Sequence, residues 1–171
     1  RNHPTATAGS QPRHRPPPSP MPPPLAHHDV VLITGASAGI GEAVALRLAE
    51  RGCRLALAAR GAADLERVAA ACRARGGDAA ALPTDVADAE SCRAFVEGAV
   101  ARFGRIDALV NNAGISMHAR FDEITDLGVF ERIMRVNYLG AVYCTYHALP
   151  HLRASRGRLA AVASLTGLSG V

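Results

Sequence analysis

The sequence predicts an α/β fold built on a doubly wound parallel sheet, and three observations point there. From Asp29 onward, short apolar runs alternate with amphipathic stretches, the pattern of successive βαβ units. A glycine-rich turn joins the first apolar run to the first helical stretch. Right-handed crossovers then place each candidate motif at the carboxyl end of a strand, where open sheets of this kind keep their ligand crevice.

"DVVLIT" (29–34) predicts a buried first strand. After the glycine turn, Ile40, Ala43, Val44 and the Leu48 region predict the apolar stripe of a helix, with Glu42, Glu50 and Arg51 on its wet side and Gly52 ending it. "RLALAAR" (54–60) predicts the second strand, and Leu65, Val68, Ala69 and Cys72 follow at helical spacing up to Gly76 and Gly77. "AAALPT" (79–84) predicts a weaker third strand. Cys92, Phe95, Val96, Ala99 and Phe103 share one face of the next helix, and "DALVNN" (107–112) returns as the fourth strand. A long helix is expected from about Phe130 to His151, and "RLAAVAS" (158–164) predicts a fifth strand.

The 171 residues suit one domain over residues 29–171, preceded by a tail over residues 1–28. Nine of the 11 prolines fall in residues 1–24, and proline lacks the N–H that helices and ladders need. The tail is therefore expected to be disordered or polyproline II. Met21 stands just before the first strand, so residues 1–20 are expected to lie upstream of the true start, or the chain to be a fragment.

All 19 basic residues are arginine, and three of them (Arg1, Arg13, Arg15) sit in the acid-free tail. The remainder is close to neutral, which argues against a nucleic-acid partner. No apolar run reaches the length of a membrane span, so no membrane partner is expected. Four scattered cysteines without a C-x-x-C pair predict free thiols and a cytoplasmic location. His147 and His151 share a helical face, but Pro150 stands between them and a third ligand is missing, so no metal site is expected.

"TGASAGIG" (34–41) carries the chemistry. Glycines at 35, 39 and 41 permit a tight turn and let backbone approach a pyrophosphate at the helix N-terminus, where unpaired N–H groups and the dipole favour anions. No Lys-Ser/Thr pair follows, so the turn is not a P-loop.

The spacing resembles the T-G-x-x-x-G-x-G fingerprint of the short-chain dehydrogenase/reductase family. "NNAG" (111–114), "TDV" (84–86), "RVNYLG" (135–140) and "VASLTG" (162–167) resemble further motifs of that family, in the right order. The stretch "MRVNYLGAVYCTYHALPHL" is similar to members of its hydroxysteroid-dehydrogenase-like branch. The resemblance implies a Rossmann-like sheet that is incomplete here on its C-terminal side, a small-molecule substrate, and a homo-oligomer formed through the long helix in the full-length protein.

It also implies a nicotinamide coenzyme held by Thr34, Gly35, Ser37, Gly39, Ile40 and Gly41, by Asp85 and Val86 on the adenine side, and by Asn112, Ala113 and Gly114. In dinucleotide folds an acid about 20 residues past the glycines binds the ribose 2′-OH, whereas a 2′-phosphate needs positive charge there. The second strand ends in Ala59-Arg60, with no acid at that point. Arg60 offers a charge-assisted contact and Ser37 a hydroxyl, so NADP is expected over NAD.

The family moves a hydride between the nicotinamide and a carbonyl carbon while a tyrosine, lowered in pKa by a lysine four residues on, exchanges the proton. By position Ser164 resembles the serine that holds the reacting oxygen, and Asn137 the asparagine that orders a water leading to that lysine. The tyrosine would follow Ser164 by roughly a dozen residues, past Val171. No lysine occurs in the 171 residues. These residues alone are therefore expected to show no turnover, and without further strands to be marginally stable. The alternative readings are a regulatory protein that binds the dinucleotide without catalysis and a pseudoenzyme interaction module using the long helix.

Overall fold

The computed structural model describes residues 24–164, and the expectations for the proline-rich run, Met21 and the stretch after Ser164 lie outside the described residues. Strands β1 (Val30–Thr34), β2 (Arg54–Ala59), β3 (Asp78–Pro83), β4 (Ala108–Asn111) and β5 (Arg158–Ala161) form one parallel sheet in the order β3-β2-β1-β4-β5. Val31 pairs with Leu55 on one side and Ala108 on the other, so β1 is the centre of the sheet. The order reverses between β1 and β4, which opens a crevice above those two strands.

Helices α1 (Gly39–Ala49), α2 (Ala62–Ala74), α3 (Ala89–Phe103), α4 (Gly128–Met134) and α5 (Gly140–Ser155) connect the strands. Alternate residues of β1 serve opposite faces: Val30 and Leu32 pack with α3 and α5 through Phe95, Val96 and Ala148, whereas Val31 and Ile33 pack with α1 and α2 through Ala45, Leu65 and Val68. Every residue of β1 is buried, and the run is apolar up to Thr34. Asp107 is charged and buried, and its Oδ2 accepts from Val30 N at 2.9 Å, closing the start of the sheet.

The structure departs from the sequence expectations in four places. The buried residues of α1 are Gly41, Ala45 and Ala49, and Ile40 is 61% exposed. Small residues bring α1 close to the sheet, and Ile40, in its first turn, stands above the strand ends. The long helix is interrupted: a π-helical turn at Arg135–Leu139 separates α4 from α5, which runs on through Pro150 to Ser155. β5 stops at Ala161, and its last three residues are exposed. Leu25, expected in the tail, packs against the α1–α2 side of the core, and His28 N donates to Gly52 O at 3.0 Å.

All four cysteines are free and buried. Burial pushes the Cys72 thiol up to about 11. Cys92 on α3 and Cys144 on α5 hydrogen-bond each other in the core, which together with burial raises the Cys144 thiol. Among the described residues no helix is long and apolar enough to cross a membrane.

Candidate coenzyme cleft

The end of β1 and the end of β4 are knotted together by side chains. Thr34, 2% exposed, accepts at Oγ1 from the backbone N of Asn112 and of Ala113, both at 3.0 Å. In return the Asn112 carboxamide nitrogen donates to Thr34 O at 3.0 Å and Gly35 O at 3.1 Å. This leaves no room for a side chain at Gly35 or Gly41: a Cβ on Gly35 would lie 2.8 Å from Ala113 Cα, and one on Gly41 2.3 Å from Gly35 O. Gly35 and Gly39 both have positive φ, +65° and +58°. Gly39 differs in having nothing within 4 Å of where its Cβ would stand, so the space above it is open to a ligand.

From outside, Arg67 on α2 holds the same turn. Its Nη2 donates to Ser37 O at 3.1 Å while Nη1 pairs with Glu42 at 2.7 Å. The Arg67 hydrogen bond holds the Glu42 carboxyl below the usual carboxylate range, with burial opposing. Sequence reasoning missed Arg67, because its partners lie 25 and 30 residues away with no local spacing to betray them.

Above the turn lies a cleft of about 530 Å³, whose walls include Gly35, Ser37, Ile40, Arg60, Asp85 and Gly114. That volume is in the range of small-molecule and cofactor sites. Neither α1 nor α2, which both begin at this cleft, has a side-chain cap, whereas α3 is capped by Asp88 accepting from Glu90 N and Ser91 N. Arg60 is exposed and makes no hydrogen bond or ion pair with another described residue. Asp85 Oδ1 accepts from Ala87 N at 3.0 Å, so this carboxylate also builds its own turn. Val86, 7% exposed, borders the cleft and leans on Gly140, where a Cβ would meet Val86 Cβ at 2.9 Å. An acid unremarked in the sequence, Asp64 in the first turn of α2, lines the cleft near Arg60. Its signal was the short step from Arg60 into a helix start.

A second cleft of about 930 Å³ continues from the first, sharing Ile40, Val86, Asn112, Gly114 and Val162, and reaches Asn137 and Ser164. Asn137 sits in the π-helical turn and clamps the irregular segment after β4: its Oδ1 accepts from Ile115 N and its Nδ2 donates to Ile115 O, both at 2.9 Å. Ser164 is exposed at the end of the run that follows β5. Asn111 joins β4 to α5 through Nδ2 and Thr145 Oγ1 at 2.9 Å, and its buried Oδ1 accepts from no described residue. Of the predicted residues, Gly35, Ser37, Ile40, Arg60, Asp85, Val86, Asn112, Ala113 and Gly114 line the first cleft, Thr34, Asn137 and Ser164 line the second, and Gly39 and Gly41 lie in the glycine turn. Among the described residues no three His, Cys, Asp or Glu side chains come together as metal ligands would, and His147 instead stacks edge-on against Tyr146.

The family model described as short chain dehydrogenase matches residues 29–171. The chain is similar to 11-beta-hydroxysteroid dehydrogenase-like 2 of Arabidopsis thaliana, 44% identical over 140 residues that cover 81% of this chain and 46% of that protein. The chain thus spans about half the length of the curated relatives it matches. Among solved structures it is similar to an alcohol dehydrogenase from the archaeon Thermococcus sibiricus complexed with 5-hydroxy-NADP, with a TM-score of 0.81, 34% identity, and coverage of 85% of this chain and 62% of that one. An NADH-dependent reductase responsible for alginate metabolism matches with a TM-score of 0.78 and 31% identity, over 85% of this chain and 62% of that one.

Proposed function

The chain belongs to the short-chain dehydrogenase family, and from that premise we propose that it binds NADP(H) in preference to NAD(H), for hydride transfer between the coenzyme and a carbonyl or secondary alcohol. The observation that carries the reading is the open, left-handed turn at Gly39 beneath a cleft whose rim holds an unpaired Arg60. Backbone amides of Ser37 to Ile40 and the uncapped start of α1 receive the pyrophosphate, and the Arg60 guanidinium meets the 2′-phosphate. Asp85 takes the adenine edge. Gly114, where a Cβ would meet nothing closer than 3.6 Å, keeps the groove floor low beside the nicotinamide.

The bound coenzyme supplies the hydride. Ser164 donates a hydrogen bond to the oxygen on which charge develops, and Asn137, with its side chain spent on Ile115, holds the π-helical turn that shapes the proton path. The neighbouring wall is apolar through Ile115, Val136, Ala141, Val162 and Ala163, which suits an apolar carbonyl compound. The proton-exchanging Tyr-x-x-x-Lys pair does not occur in the 171 residues, which hold no lysine, so this chain alone binds without turnover. Tyr138, Val142, Tyr146 and Leu149 line the exposed side of α5 and its approach, a surface for pairing with a second copy. The four free thiols support a reducing compartment, the cytoplasm.

Titration of the purified chain with NADPH and NADH tests the reading. Saturable binding with NADPH the tighter ligand is expected, and no binding of either coenzyme contradicts it.

A further inference from the structure

Two kinds of charge meet at the α2 end of the cleft. Among the described residues that line it, Arg60 is the only cation, and it shares the wall with two carboxylates, Asp64 and Asp85. Asp85 has work in its own turn, accepting from Ala87 N. Asp64 is exposed and makes no hydrogen bond or ion pair with another described residue, although its charge acts on Arg67 one turn along α2. Its Oδ2 lies 3.6 Å from where a Cβ on Gly61 would stand, and Gly61 is the N-cap of α2. The carboxylate therefore folds back over the first turn of a 13-residue helix that has no side-chain cap and begins two residues past Arg60.

On the coenzyme reading, the 2′-phosphate comes to this end of the cleft, where Arg60 stands. A negative group there is stabilised by the first-turn amides and the helix dipole, and by the neighbouring guanidinium. A phosphate and a carboxylate brought to the same end of the cleft repel each other through partly screened solvent. A plain ribose hydroxyl carries no charge and meets no such opposition.

We propose that Asp64 is a selectivity-determining residue that limits the preference for the 2′-phosphorylated coenzyme, its carboxylate at the α2 start repelling the phosphate that Arg60 attracts. The inference rests on the reading of the cleft as a coenzyme site and deepens it. Arg60 draws the phosphate in, Asp64 holds the gain down, and the protein accepts both coenzymes with a modest margin between them.

The test is calorimetric titration of the protein with NADPH and with NADH, for the unaltered chain, Asp64→Asn and Asp64→Ser. Serine keeps a hydrogen-bonding group in the first turn of α2 without the charge, and thermal melts of each variant report any loss of fold. NADPH is expected to bind about three- to tenfold more tightly in both variants, with the gain shrinking as salt rises. NADH affinity is expected to stay within about twofold. NADPH affinity unchanged or weakened in folded variants overturns the proposal, as does an equal gain for both coenzymes. If the unaltered chain binds neither coenzyme, the cleft reading and this proposal fail together, an outcome distinct from failure of the Asp64 role alone.

Discussion

The Asn112 carboxamide nitrogen sits 3.1 Å from the Gly35 carbonyl oxygen and 2.5 Å from where a Cβ on Gly41 would stand. One side chain at the end of β4 thus fixes the shape of a turn that follows β1, more than 70 positions earlier in sequence. Asn112→Asp replaces the donor with a carboxylate aimed at two carbonyl oxygens. It is expected to cost about 1–3 kcal/mol of stability, read by denaturant melts, and to weaken coenzyme binding in the fraction that folds.

Ser164 borders the second cleft together with Asn137. In a form of the protein that supplies a Tyr-x-x-x-Lys pair, Ser164→Ala is expected to lower kcat about a hundredfold while leaving the coenzyme Kd unchanged. An equal loss in coenzyme binding would assign Ser164 to the turn instead.

The 171 residues contain no lysine to lower a tyrosine pKa. Purified as such, they are expected to consume no NADPH in the presence of ketones, followed by the absorbance of the reduced nicotinamide. Sustained carbonyl reduction by this polypeptide contradicts the assignment of the missing pair.

Cys72 lies fully buried on α2, and burial raises its thiol from the ordinary 9.0 to about 11. The folded state favours the neutral thiol, so this group's contribution to stability is complete below pH 9.0 and is lost as the pH rises through about 11. Denaturant midpoints of the unaltered protein are expected to fall between those two pH values more steeply than those of Cys72→Ala.

The sheet was legible because each strand of the βαβ pattern carried its own apolar run and each crossover its own helical period; β1 reads as "VVLIT" and is buried throughout. The glycine turn was legible because the residues that make it lie within eight positions of one another. What escaped was long-range or register-dependent. The buried stripe of α1 is one residue out of step with Ile40 because Gly41, Ala45 and Ala49 let the helix sit closer than a bulky face would. The π-helical turn at Arg135–Leu139 adds a residue that no apolar period announces, and it is tied to Ile115 by Asn137. Arg67 was invisible as a site residue, and Asp64 went unremarked, because their meaning depends on where α2 begins relative to the turn.

Recognition of the extra phosphate by Arg60 is the central claim, and a side-by-side calorimetric titration of the unaltered protein and Arg60→Ala with NADPH and NADH tests it most directly. The account predicts that Arg60→Ala weakens NADPH binding by roughly 10- to 100-fold, as for loss of a charge-assisted hydrogen bond, and leaves NADH binding nearly unchanged. An NADPH affinity that survives the substitution intact would contradict it.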